Sequence, residues 1–215
     1  MHEKFTLYGR ANSGSLVVQI VLEEIGVPYA MHWVGHGEAD LAALRAVNPA
    51  GRVPALRLPD GTAVAESAAI LIYLASAFPA ARLAPPPGSS AHARFLEAMV
   101  SLSANLYDTA LRYYYAARYS SAGEAAAAGI RAQAGAAYTA LIEAQAQRLA
   151  PYVLGASYSA ADPYFYMLSG WHEEAAALRA RLAPLARHAE LVRARAATAR
   201  AEAANAAQER AGGSG

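Results

Sequence analysis

A chain of 215 residues, 55% apolar and 16% charged, can bury one large core or two small ones. Its 18 basic and 17 acidic side chains leave a formal charge of +1, which gives no electrostatic footprint for nucleic acid or an anionic membrane surface. Cysteine is absent, which excludes disulfides, thiolate metal sites and a cysteine nucleophile.

Phe5-Thr6-Leu7-Tyr8 predicts a first strand, and no secretory leader pattern precedes it, so a cytoplasmic location is expected. No charge-free apolar run reaches the ~18 residues of a membrane span. Gly9 to Gly14 is a polar loop. Leu16 to Ile25 then carries Leu16, Ile20 and Val21 at helical spacing, with Gly26 as the stop. Tyr29–Val34 predicts a second strand and Glu38–Ala46 a short helix. Asn48-Pro49-Ala50-Gly51 reads as a turn. Residues 55–58 and 62–65 read as strands joined by the hairpin signal Pro59-Asp60-Gly61-Thr62, and residues 67–77 as an apolar helix. The order β-α-β-α-β-β-α makes the first strand pair parallel and the last antiparallel. A small mixed sheet with helices on both faces is the thioredoxin-like arrangement.

Pro79 and Pro85-Pro86-Pro87-Gly88 mark a stiff linker over 79–88. Residues 89–200 read as all-helical: 90–118, then the alanine-rich 124–149, a helix from Ser159 closed by Trp171-His172, and segments 173–181 and 184–200. Gly129 and Gly135 weaken the second of these locally. The expected domains are therefore 1–78 and 89–200, with 201–215 as a fraying, disordered tail.

Asn48–Ser67 concentrates the chemistry. A cis bond between Val53 and Pro54 would turn the Val53 N–H and C=O out of the sheet edge, where an extended peptide-like ligand could pair with them. Ser67 at a helix N-terminus offers N–H groups to a carboxylate, and Glu66 offers a carboxylate to an amine. A tight hairpin and an ordinary cap are the plainer reading of the same residues. The six histidines are scattered; His32 and His36 fall in a strand and in the loop after it, so no metal site is expected.

This order of elements resembles the cytosolic glutathione S-transferase family over roughly residues 5–195. Three motifs carry the resemblance: Asn48-Pro49-x-Gly51-Arg52-Val53-Pro54-x-Leu56, the pair Glu66-Ser67, and Ser159-x-x-Asp162. The third also has an independent reading as a capping box, with Ser159 and Asp162 in structural roles and Asp standing in for the usual Glu. The resemblance implies a cytoplasmic detoxification transferase, working as a homodimer. It would take glutathione as co-substrate and activate the thiol for attack on an apolar electrophile. Val53 would pair with the cysteinyl backbone, held by Pro54. Glu66 would meet the α-amine, Ser67 the γ-glutamyl carboxylate and Arg52 the glycyl carboxylate. Gln19 and His36 are further helpers.

Activation calls for a group that stabilises a thiolate near neutral pH, because free thiols have a pKa near 8.5, and the resemblance places that donor in the first β-α loop at the start of the first helix. Ser13 is the first choice, with Ser15 and Asn12 as alternatives; each has a simpler reading as cap or turn residue. The apolar substrate would meet Tyr107, Leu111, Tyr114 and Trp171, with Phe165 as a later candidate, although this stripe also reads as core or dimer contact. The same scaffold also suits a glutathione-dependent lyase, isomerase or dehalogenase. It equally suits a non-catalytic protein that binds glutathione or apolar ligands.

Overall fold

The computed structural model describes residues 4–212. Two compact units compose the chain: Met1–Ala84 with Arg193–Gly215, and Pro85–Val192.

In the first unit, β1 (Phe5–Gly9), α1 (Ser15–Ile25), β2 (Tyr29–Trp33), α2 (Glu38–Arg45), β3 (Ala55–Arg57), β4 (Ala63–Ala65) and α3 (Ser67–Ala77) follow the predicted order. The sheet order is β2-β1-β3-β4, with β1 parallel to β2 and antiparallel to β3, and β3 antiparallel to β4. Central β1 has Leu7 and Tyr8, successive residues on opposite faces, both buried. Tyr8 packs with Val34, Leu44, Val47 and Ala55 on the α2 side. Val17, Val18, Ile20, Val21 and Leu22 of α1 are fully buried, so that helix is apolar over most of its girth. The β3–β4 turn closes by Leu58 N–H to Thr62 C=O at 2.8 Å, with the Asp60 carboxylate accepting the Thr62 N–H at 2.8 Å.

The expectation of a tail over 201–215 is corrected. Ala196–Gly212 is a helix that packs against α1; residues 213–215 lie outside the described residues. Its buried stripe is Ala197, Thr198, Ala201 and Asn205, at helical spacing. Small side chains there permit close approach. Asn205 donates to Gln19 at 2.8 Å, Gln19 to the Tyr29 hydroxyl at 3.1 Å, and Tyr29 to Glu23 at 2.7 Å. Arg200 donates to the other oxygen of Glu23 at 2.6 Å, closing a polar ring between the two helices. Burial and the hydrogen bond to Glu23 push the Tyr29 phenol up to about 12.

In the second unit, α4 (Ser90–Ser101) continues through a π-helical segment, Leu102–Tyr107, into α5 (Asp108–Tyr114). The single helix expected over 90–118 therefore carries a change of register before Tyr107 and ends in a 3-10 turn, Ala116–Tyr119. Next come α6 (Glu124–Ala146), α7 (Ala161–Gly170), α8 (Ala175–Arg181) and α9 (Ala183–Arg193); Ala196–Gly212 is α10. Gly135 has a packing reason to lack a side chain. A Cβ there would stand 3.2 Å from the Tyr113 ring, tighter than ordinary contact.

The capping box at Ser159 is half formed. The Asp162 carboxylate accepts the Ser159 N–H at 2.7 Å, but the Ser159 hydroxyl accepts from Ala161 N–H, at 3.3 Å, instead of from the Asp162 N–H. Asp162 does more than cap. It also accepts the Val153 N–H at 2.8 Å and faces His188 Nε2 at 3.1 Å, with both side chains fully buried. Among the described residues, no helix is long and apolar enough to cross a membrane.

Candidate functional site

The register of the sheet brings the separated motifs to one end. Tyr8 pairs with Ala55, and Ala55 with Ala65. The loop leaving β1, the approach to β3 at Val53-Pro54 and the exit from β4 at Glu66-Ser67 therefore emerge side by side. Gly9 C=O accepts the Val34 N–H at 2.8 Å, which adds the end of β2 to the same edge.

The loop after β1 is tied internally. Ser13 and Ser15 hydroxyls each donate to the Arg10 carbonyl at 2.8 Å and stand 2.9 Å from one another. Ser15 also accepts the Arg10 N–H at 3.1 Å. Two hydroxyl protons thus serve three contacts. Ser13 remains partly exposed, whereas Ser15 is fully buried. Gly9 is required by this arrangement: a Cβ would overlap the Ser15 side chain and the Met31 methyl group. The Arg10 guanidinium bridges to the next loop through the Val34 and Gly35 carbonyls, at 3.2 and 3.3 Å. Gly14 holds the N-cap position of α1, and the Ser13 hydroxyl just ahead of it accepts the Ser15 N–H of the first turn at 3.3 Å.

Asn12 is exposed and left-handed, with φ 50°, and its amide donates to the carboxylate of Glu209 on α10. Gln19, expected as a helper, is held between Asn205 and Tyr29 instead. Tyr8 belongs to the core, its ring 4.8 Å from that of His32. His36 is exposed in the loop ahead of α2.

On the other side of the sheet end, Asn48 folds the approach to β3. Its side chain accepts the Ala50 N–H at 3.1 Å and donates to the Arg52 carbonyl at 2.7 Å. The Val53–Pro54 bond is cis, and the ladder starts only at Ala55, so Val53 lies outside it. Arg52 is exposed and Val53 half-buried. Glu66 has φ 68° and ψ 115°, a conformation that costs a non-glycine residue ~1–3 kcal/mol. Its side chain is exposed while the adjoining Ser67 is buried at the first turn of α3.

The expected apolar-site residues lie in the second unit. The Tyr107 and Trp171 rings meet edge to face at 5.3 Å, and the Tyr114 hydroxyl donates to the Trp171 carbonyl. Leu111 is half-buried one turn from Tyr107. Phe165 is corrected to a core residue: it is fully buried with its ring 5.4 Å from that of His188. Glu209, Asn205 and His188 carry no local signal in the sequence, because their partners Asn12, Gln19 and Asp162 lie far along the chain.

Residues 15–77 match the family model for the glutathione S-transferase N-terminal domain. The chain is 33% identical over 109 residues to the glutathione S-transferase GstA of Escherichia coli O157:H7, covering 47% of this chain and 52% of that relative. The match thus spans about half the length of the curated relative. Similarity to solved structures extends much further. A glutathione transferase homologue from Sulfitobacter, with bound glutathione, superposes with a TM-score of 0.83 at 29% identity, covering 92% of this chain and 96% of that one. A sphingomonad glutathione S-transferase complexed with glutathione gives 0.77 at 27% identity, covering 94% and 98%. The thioredoxin-like sheet, the helical second unit and the matched first-domain family lead to one conclusion: the chain is a glutathione S-transferase-like protein.

Proposed function

We propose that the protein binds glutathione at this sheet end, depresses the pKa of its thiol and presents the thiolate to an apolar electrophile. The observation that carries the reading is the convergence of the Ser13 loop, cis Val53-Pro54 and Glu66-Ser67 at one end of the sheet. In this reading the Val53 backbone pairs with the cysteinyl unit, kept in place by Pro54. Glu66 takes the α-amine and Ser67 the γ-glutamyl carboxylate at the positive end of α3. Arg52 takes the glycyl carboxylate through a charge-assisted bond.

Ser13 is the thiol donor. If its proton turns toward the sulfur, Ser15 still donates to the Arg10 carbonyl, so no buried acceptor is orphaned. Ser15 is buried and holds the loop; Asn12 is engaged with Glu209. Tyr107, Leu111, Tyr114 and Trp171 supply the apolar contacts for the second substrate. The family resemblance extends this reading to a two-fold homodimer, which sedimentation velocity tests.

Titration calorimetry with glutathione, together with the thiolate band near 240 nm and turnover of an activated aryl chloride, tests the proposal. The sulfur displaces chloride, and the thiol proton leaves to solvent. Saturable binding, a thiolate band at neutral pH and chloride release are expected. No binding at millimolar glutathione would sink the reading. Binding with no thiolate band would leave a glutathione-binding protein that lacks the transferase step.

A further inference from the structure

We infer that Glu209 on α10 is a positioning residue for the thiol site, acting through Asn12. This rests on the glutathione reading of the Ser13 loop.

Four polar ties run along the α1–α10 pair: Arg195 to Glu24, Arg200 to Glu23, Asn205 to Gln19 and Glu209 to Asn12. Numbers rise on one partner as they fall on the other, so the helices are antiparallel. The first three meet the shaft of α1, one from Arg195 just ahead of α10 and two from Arg200 and Asn205 on it. The fourth alone passes beyond the start of α1 and grips the loop, one residue before Ser13.

Three observations separate this contact from ordinary docking. Asn12 is exposed, so its bond adds little to stability. It holds a left-handed φ of 50°, and that angle sets the direction in which the chain enters Ser13. Glu209 stands in the last turn of α10, where the helix dipole favours cations and disfavours an acid. The local rule is broken, and what is gained is an acceptor for the Asn12 amide. Asn12 thereby keeps the backbone from which Ser13 reaches the Arg10 carbonyl and Ser15. The far end of the chain sets the geometry of its first loop.

The test uses the full chain with glutathione and the aryl chloride. Glu209→Ala is expected to lower kcat/KM by about two- to fivefold, the range of one exposed charged tie, and to raise the pH at which the 240 nm thiolate band appears. Glu209→Gln keeps an acceptor oxygen and is expected to restore both. Asn12→Ala combined with Glu209→Ala is expected to be no worse than Asn12→Ala alone. Arg200→Ala breaks a tie between the helix shafts and is expected to leave the thiolate band unmoved. Equal effects of Glu209→Ala and Arg200→Ala on that band, or failure of Glu209→Gln to restore it, would overturn the inference. A wild-type protein that binds no glutathione would overturn the underlying reading, and the inference with it.

Discussion

Two serine-bearing motifs stand at helix starts, one in each unit, and they are built for opposite ends. At Ser159–Asp162 every group faces inward. The carboxylate receives two backbone N–H groups, a hydroxyl and an imidazole nitrogen, all without access to water. At Ser13–Ser15 two hydroxyls share a carbonyl and each other, and one of them is left partly exposed. A carboxylate already holding four donors in a dry interior has nothing to offer a ligand and everything to lose from a substitution. A hydroxyl with a replaceable contact can donate elsewhere at little cost. Identity of residue and place on a helix do not tell a pin from a site. The number of protons, the number of acceptors and access to solvent do.

The largest expected effect is at the pin. Asp162→Ala leaves the Val153 and Ser159 N–H groups and His188 without their acceptor in a dry interior, a loss of about 3–5 kcal/mol read from the urea unfolding midpoint. A loss below about 1 kcal/mol, the size of a surface contact, would dissolve the distinction between the two motifs. Next in size, Ser13→Ala is expected to reduce kcat/KM about 100-fold, as for removal of one preorganised donor, while changing stability by less than ~0.5 kcal/mol. Ser15→Ala sharpens the contrast by reversing it: the unfolding midpoint falls and the chemistry changes less than in Ser13→Ala.

The smallest effect belongs to the polar ring between α1 and α10. The Tyr29 phenol moves from 10.0 to about 12 on folding, because burial and then the bond to Glu23 favour its protonated form. That contribution to stability is complete below pH 10.0 and is lost as pH rises toward about 12. Unfolding measured from pH 9 upward is expected to show the decline in the wild type and a shallower one in Tyr29→Phe.

Most of the first unit was legible because its signals are local. Alternation, a proline before a strand and Asp60-Gly61 between two short runs predict elements without reference to partners. The site motifs followed from the same stretch, since the two motif pairs flank a hairpin that fixes their separation. Illegible features depend on contacts distant in sequence. Alanine is apolar enough to bury and common enough on exposed faces to blur a period, so the stripe Ala197, Ala201, Asn205 was lost in the alanine background of α10. Its meaning comes from Gln19, far away along the chain. His188 meets Asp162 only after two helices have folded back, and nothing near either residue announces the other. The π-helical turn before Tyr107 arises where six residues change register, which an apolar pattern of period 3.6 does not register.

Gly9 links strand to loop in a way that constrains how the site can change. The absence of a side chain there is what lets the Ser15 hydroxyl lie against β1, so positions 9 and 15 form one steric unit. A larger atom at 15, a fully buried position beside Gly9, presses on the backbone of β1, whereas position 13 is partly open to solvent. A sulfur nucleophile introduced by mutation would therefore be accommodated at 13 and resisted at 15. The route from a hydroxyl-based to a thiol-based version of this loop has one permitted door, and the backbone of the first strand keeps the other shut.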